Sequence, residues 1–286
     1  WWVLADLLLL GLFGGFFIVP LYALVQLRST ADKRARIIAA NNIINAFFMV
    51  VGALAAAAMF AGGLSIPMLF AVAAICNAAI AVFIYGLVPE FLLRFLAWVL
   101  IHLFYRVKKR GVEHIPHEGA ALIICNHVSF VDPVILMAVS PRPIRFVMDH
   151  HIFRTPLISF IFRHTRAIPI APAKEDAAMM ERAFEDVSAA LKEGELVGIF
   201  PEGRITDSGE LYPFRPGVTR ILERDPVPVI PLALQGLWGS FFSRKGGPAM
   251  SKPFRRPLFS KIAVVGAAPV APAEATPARL QEIVGR

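Results

Sequence analysis

The stretch that decides the fold is ALIICNHVSFVDP, residues 121–133. Its first five residues are apolar without a break. A run that short, closed by polar residues, reads as a strand covered on both faces. Asn126 and His127 then fall at the carboxyl end of that strand. Pro133 suits the first turn of a helix, which makes Asp132 an expected N-cap. The spacing predicts a strand, a short loop and a helix. In open α/β sheets the ligand site lies at the carboxyl ends of the strands.

The same grammar repeats downstream. Ala121–Cys125, Arg145–Met148, Ala167–Ile170, Leu196–Phe200, Val229–Leu234 and Lys261–Val265 are candidate strands. Between them, Met180, Phe184, Val187 and Leu191 recur at helical spacing, with acids expected to fill the first turn and Gly194 placed as a C-terminal cap. Alternating strand and helix predicts an α/β domain with a mostly parallel sheet and flanking helices.

His127 and Asp132 are five residues apart across a loop that can fold back. An acid held against an imidazole fixes its tautomer and supports the imidazolium formed when the ring takes a proton. His127 is then a candidate general base for a hydroxyl. The plainer alternative keeps Asp132 as a cap and His127 as a loop histidine. A second block, FPEGRIT at 200–206, also follows a predicted strand. There Glu202 and Arg204 fall where a ligand should lie, and Gly203 permits close backbone approach. An arginine fork can bind two phosphate oxygens at once. Its plainer alternative is a surface turn with a solvated ion pair.

Working back to the N-terminus, the character changes. The 286 residues are 57% hydrophobic with a net charge of +8, and most of the excess lies before about residue 105. Trp1–Gln26, Ile37–Phe60 and Ile66–Val88 are long enough to span a bilayer, which takes about 20 residues. Arg28, Lys33, Arg34 and Arg36 surround the first connection, whereas AGGLS in the second carries no charge. The positive-inside rule puts the first loop and everything after residue 90 in the cytoplasm. The expected location is the inner or plasma membrane, multi-pass, with a cytoplasmic catalytic domain. Asn41 and Asn45, one turn apart, predict either hydrogen bonds between helices or part of a transport path. Glu90–Tyr105 predicts an interfacial amphipathic helix, with Arg106, Lys108, Lys109 and Arg110 held at anionic headgroups behind it. The expected divisions are 1–88 for the spans, 89–106 for the interfacial segment and 107–286 for the α/β domain.

Several chemistries have weak footing. Cys76 and Cys125 have no metal or disulfide spacing and read as packed thiols. No G-x-S-x-G elbow is present. Ser129 is expected to serve its loop or the start of the helix. His150 and His151 are adjacent but lack a third ligand at metal-like spacing, so no metal is expected. The positive charge flanks a membrane exit, and no nucleic-acid recognition module is visible.

NHVSFVD, FPEGRIT and the later VPVIPLAL together resemble the glycerophospholipid acyltransferase family, which includes the lysophosphatidic acid acyltransferases. The resemblance spans about residues 105–265. It implies that His127 deprotonates the acceptor hydroxyl and Asp132 orients it. Glu202, Gly203 and Arg204, with Asn126, would hold the acceptor's phosphate region, and Pro231 belongs to the fourth block. No cofactor is implied, since acyl-CoA or acyl-acyl-carrier protein is a substrate. The implied partners are membrane lipids, with a lysophospholipid as acceptor. Where many members end a strand in arginine, this chain reads RAIPIAPAK, with Arg166 before the strand and Lys174 after it. Lys174 is the implied substitute, and Arg215 in PFRPGV is a further phosphate candidate. FPEGRITDSGEL and FFSRKGG are similar to the bifunctional 2-acylglycerophosphoethanolamine acyltransferase and acyl-carrier-protein synthetase branch. RARIIAANNIINAFFMVVGAL resembles a late helix of the major facilitator superfamily. That pairing implies further transporter and ligase domains in the full-length chain. The rival expectation is a lysophospholipid transporter fragment carrying an inactive cytosolic domain.

Overall fold

The structure, a computed structural model, describes residues 1–87, 89–154, 156–251 and 259–285. The chain divides into two compact units, Trp1–Leu92 and Leu93–Arg286.

The first unit holds α1 (Trp2–Arg28), α2 (Arg34–Ala61) and α3 (Ile66–Leu87). All three are long and apolar enough to cross a membrane. Val88, expected to end the third span, lies outside the described residues. Asn41 and Asn45 each donate from Nδ2 to the Tyr22 hydroxyl, at 2.9 and 2.8 Å. One oxygen with two lone pairs thus satisfies two amides and ties α2 to α1, as the first of the two readings of these asparagines expected. Cys76 is exposed on α3 rather than packed, because the surface of this helix bundle is itself apolar.

α4 (Pro89–Phe104) runs into the second unit. There Ala97 and Ile101 are buried, and Ile101 joins the core beneath the sheet. Leu96, Trp98, Leu100 and Leu103 stay exposed. The basic residues that follow are not a trailing cluster. They form β1 (Tyr105–Arg110), a strand the sequence reading did not anticipate.

The other strands are β2 (Ala121–Cys125), β3 (Ile144–Asp149), β4 (Ile168–Ile170), β5 (Leu196–Ile199), β6 (Val229–Gln235) and β7 (Ser260–Gly266). Among the described residues they make one seven-stranded sheet in the order β1-β7-β6-β2-β5-β3-β4. Every pairing is parallel except β6 with β7. β1 is therefore an edge, and its charged side chains discourage pairing with another chain. β2 lies at the centre, which explains its unbroken apolar run. Ala121, Ile123 and Cys125 enter one core layer, and Leu122 and Ile124 enter the other. The first layer is closed by α5 (Asp132–Val139) and α4. The second is closed by α7 (Ala177–Lys192), α8 (Gly217–Arg224) and α9 (Pro277–Gly285). α6 (Pro156–His164) connects β3 to β4. The acids expected in the first turn of α7 precede it instead. Asp176 is its N-cap, accepting from the Met179 amide at 2.8 Å.

One consequence of this order positions the site. β2 and β5 are parallel neighbours with Ile124 opposite Ile199. The residues that follow each strand, Asn126–His127 and Phe200–Arg204, must emerge side by side.

Candidate active site

His127 leaves β2 with its backbone gripped by the segment after β5. Its amide donates to Glu202 Oε1 at 2.6 Å, and its carbonyl accepts from the Thr206 amide at 2.9 Å. The imidazole stacks on Phe200, with ring centroids 4.1 Å apart. Nδ1 lies 2.9 Å from Asp132 Oδ2. An N–H on Nδ1 donates to this carboxylate, which leaves Nε2 as the lone-pair nitrogen.

Asp132 does not cap its helix. The N-cap is Val131, with Asp132 as the first helical residue and Pro133 behind it. The carboxylate turns backwards into the loop. Oδ2 also accepts from the amides of Val128 and Ser129 at 2.6 and 2.8 Å, and Oδ1 accepts from Ser129 Oγ at 2.6 Å. A fully buried carboxylate needs such partners, because an unpaired one would be costly. Four bonds from a single loop fix both the loop and the imidazole. Ser129, buried and engaged with Asp132, serves the loop as expected.

Glu202 differs from its expected role on the acceptor. It is buried, and its two oxygens are taken by the backbone amides of His127 and Tyr212, at 2.6 and 2.8 Å. Burial raises its pKa, and the two amides only partly offset this. Its carboxylate joins the two motif loops and leaves no oxygen for a phosphate to displace. Asn126 is similarly engaged. It donates to the Leu234 carbonyl at 3.0 Å and accepts from the Leu234 amide at 2.7 Å, clamping β2 to β6 rather than facing a ligand.

The cations fall into two groups. His127, Arg204 and Arg215 line one cavity of about 690 Å³, and Arg244 lines it as well. The Arg204 guanidinium lies 3.8 Å from the centroid of the Tyr212 ring. Gly203 has φ +68°, and a Cβ there would meet the Arg215 guanidinium at 2.8 Å. Glycine is favoured here by its backbone conformation, and a Cβ would also push the Arg215 guanidinium aside. None of the three arginines makes an ion pair among the described residues. Lys174 is exposed and does not line this cavity. Arg166 is engaged elsewhere, with Glu193 and Glu195.

Arg244 escaped the sequence reading because its segment lies far from both motifs. The structure ties that segment to the histidine loop. Ser129 bridges Ser243, and the Phe130 amide donates to the Phe242 carbonyl at 3.2 Å. Arg244 then reaches the Phe130 ring, 5.8 Å from its centroid. The apolar remainder of the cavity includes Val147, Ile170, Met180, Phe184, Val187 and Ile221. Cys125 offers no nucleophile, because burial, with the nearby charges of Asp132 and Glu202, pushes its thiol well up. The arrangement supplies one oriented imidazole, three guanidinium groups and an apolar pocket.

The sequence profile of the family described as Acyltransferase matches residues 106–235. That match covers less than half of the chain. The matched segment contains both motif loops, from β1 to the end of β6. A chloroplast 1-acyl-sn-glycerol-3-phosphate acyltransferase of Brassica napus is 28% identical over 150 residues, 51% of this chain and 42% of the relative. A 1-acyl-sn-glycerol-3-phosphate acyltransferase of Bacillus subtilis is 28% identical over 139 residues, 48% of this chain and 67% of the relative. The chain thus spans less than half of the plant relative. The crystal structure of the 1-acyl-sn-glycerophosphate acyltransferase from Thermotoga maritima superimposes with a TM-score of 0.54 at 19% identity. It covers 86% of this chain and 95% of that one. It shares the fold.

Proposed function

We propose that the protein is a membrane-bound acyltransferase that moves a fatty acyl group from a thioester donor to the free hydroxyl of a lysophospholipid or acylglycerol phosphate. The observation that carries this reading is the His127–Asp132 contact of 2.9 Å beside a cavity lined by three arginines. The relatives' names, which specify 1-acyl-sn-glycerol-3-phosphate, support the acceptor class.

In this mechanism Nε2 of His127 takes the proton from the acceptor hydroxyl. The oxygen attacks the thioester carbonyl, a C–O bond forms and the C–S bond breaks. The imidazolium, supported by Asp132, returns its proton to the leaving thiolate. The products are the ester and the free thiol of coenzyme A or acyl-carrier protein. Arg204 and Arg215, joined by Arg244, hold the acceptor's phosphate. The apolar wall receives an acyl chain. No cofactor takes part.

The three apolar helices and the charged first connection support a multi-pass protein with this domain in the cytoplasm, where thioester donors are made. The fused arrangement, with transporter and ligase segments in a longer chain, rests on the resemblances of FPEGRITDSGEL, FFSRKGG and the second helix. The test is acyl transfer by membranes holding the whole chain, given labelled acyl-CoA or acyl-carrier protein and a panel of lysophospholipids. Transfer to a glycerophosphate-type acceptor supports the proposal, and transfer to none of the panel contradicts it.

A further inference from the structure

Asp149 ends β3, and His150 and His151 follow it in a 3-10 turn (His150–Arg154). Each of the three offers a ligand atom, and these atoms lie within 4.8 Å of one another. The sequence showed an adjacent histidine pair without a third ligand. Asp149 immediately precedes the pair in the sequence, and the fold brings in a fourth group. β3 and β4 are parallel with Asp149 opposite Ile170, so the loops leaving both strands emerge together. The β4–α7 loop places Glu175 Oε1 2.9 Å from His150 Nε2 and 3.2 Å from His151 Nε2. The two rings lie with centroids 4.0 Å apart.

His151 carries the argument. It has a carboxylate oxygen against both ring nitrogens, with Asp149 Oδ1 2.9 Å from Nδ1 and Glu175 Oε1 3.2 Å from Nε2. A neutral imidazole has one N–H and one lone pair. One tautomer places N–H on Nδ1, donating to Asp149 Oδ1, which also accepts from the His151 amide at 2.8 Å. In the other, with N–H on Nε2 of both rings, Glu175 accepts from His150 at 2.9 Å and lies 3.2 Å from His151 Nε2. The lone pair on Nδ1 of His151 then faces Asp149.

We propose that Asp149, His150 and His151 bind a divalent transition-metal ion of the zinc class, with Glu175 as the outer carboxylate that holds both imidazoles. Imidazole and carboxylate donors suit such an ion. Ligating histidines characteristically donate their other N–H to a carboxylate, which fixes the tautomer. Two carboxylates and two neutral imidazoles sum to a charge of −2, which one divalent ion balances. Three protein ligands leave a fourth position open. Asp149 and His151 both line the cavity that holds His127, so the ion sits in the cavity wall.

The test uses the whole purified chain in detergent, stripped with a chelator, then dialysed against Co²⁺ and against Zn²⁺. The expected result is uptake of one equivalent, with Co²⁺ giving the visible absorption of a low-coordinate nitrogen and oxygen site that Zn²⁺ then bleaches. His151→Ala and Asp149→Asn should lose that equivalent. Glu175→Gln, a mild change in an exposed loop, should keep the fold and weaken binding about 10–100-fold. His117→Gln, an exposed histidine elsewhere, should leave binding intact. Two results would overturn the proposal. One is absence of stoichiometric uptake by the folded chain. The other is uptake that survives both His151→Ala and Glu175→Gln.

Discussion

Replacing Asp132 by asparagine separates the charge of this residue from its hydrogen bonds. The wild-type carboxylate accepts from the Val128 and Ser129 amides and from His127 on one oxygen, and from the Ser129 hydroxyl on the other. An asparagine can keep its oxygen on the side of the two amides, since its NH₂ would clash there. The NH₂ then meets Ser129 Oγ, which can rotate to accept. The imidazole keeps its partner and tautomer. The stability cost should be near that of one hydrogen bond, about 1 kcal/mol. What is lost is the negative charge beneath the imidazolium. Two unit charges about 4 Å apart attract by about 4 kcal/mol at an effective dielectric near 20. At about 1.4 kcal/mol per tenfold in rate, that sets a ceiling near 10³. The amide dipole recovers part of it, so kcat should fall roughly 10²–10³-fold. The KM values should move little, because the residue touches neither substrate. The assay is steady-state transfer of a labelled acyl group, with thermal unfolding measured in parallel. A folded variant with kcat within about fivefold of wild type would refute the role given to Asp132.

Other outcomes follow from the same geometry. Arg204→Lys keeps the charge but loses the fork, and should raise the acceptor KM more than the donor KM; a change confined to the donor would mean the wrong substrate was assigned. Gly203→Ala should destabilise by about 1–3 kcal/mol, seen in urea unfolding, because it imposes strain at positive φ and displaces Arg215. Glu202→Gln leaves one backbone amide facing NH₂ and should cost about 1–3 kcal/mol at neutral pH. The raised pKa of Glu202 means the folded chain holds that proton more tightly than the unfolded chain. Its contribution is complete below the ordinary value of 4.5 and is lost as pH rises through the folded value. That component of the pH slope should vanish in the glutamine variant. Replacing exposed Trp98 and Leu103 by serine should slow transfer to acceptor embedded in vesicles more than to dispersed lysolipid; equal effects would remove α4 from membrane docking.

The strong signals in the sequence were local ones. ALIIC is apolar because β2 is central and covered on both sides, and the five-residue step from His127 to Asp132 fits a loop that closes on itself. Six of the strands and the helix over 177–192 follow from the same periodicity. β1 was hidden because RVKKR is an edge strand, where pairing needs only backbone and the side chains answer to solvent. Asn126 and Glu202 follow the strand ends as expected, but their side chains turn inward and neither lines the cavity. Motif spacing locates a residue and cannot say which way it points. Lys174 was chosen for its charge near a strand end, yet its loop carries it away from the cavity. Arg244 lies 117 residues after His127, and only the pairing of Ser243 with Ser129 brings it in.

The central claim is that His127 takes the acceptor's proton. The direct measurement is turnover of His127→Ala in membranes that contain it at the wild-type level, with a thioester donor and a lysophospholipid acceptor. The account expects a fall of at least about 10²-fold with an unchanged unfolding transition. Near-normal turnover by the folded alanine protein would contradict it.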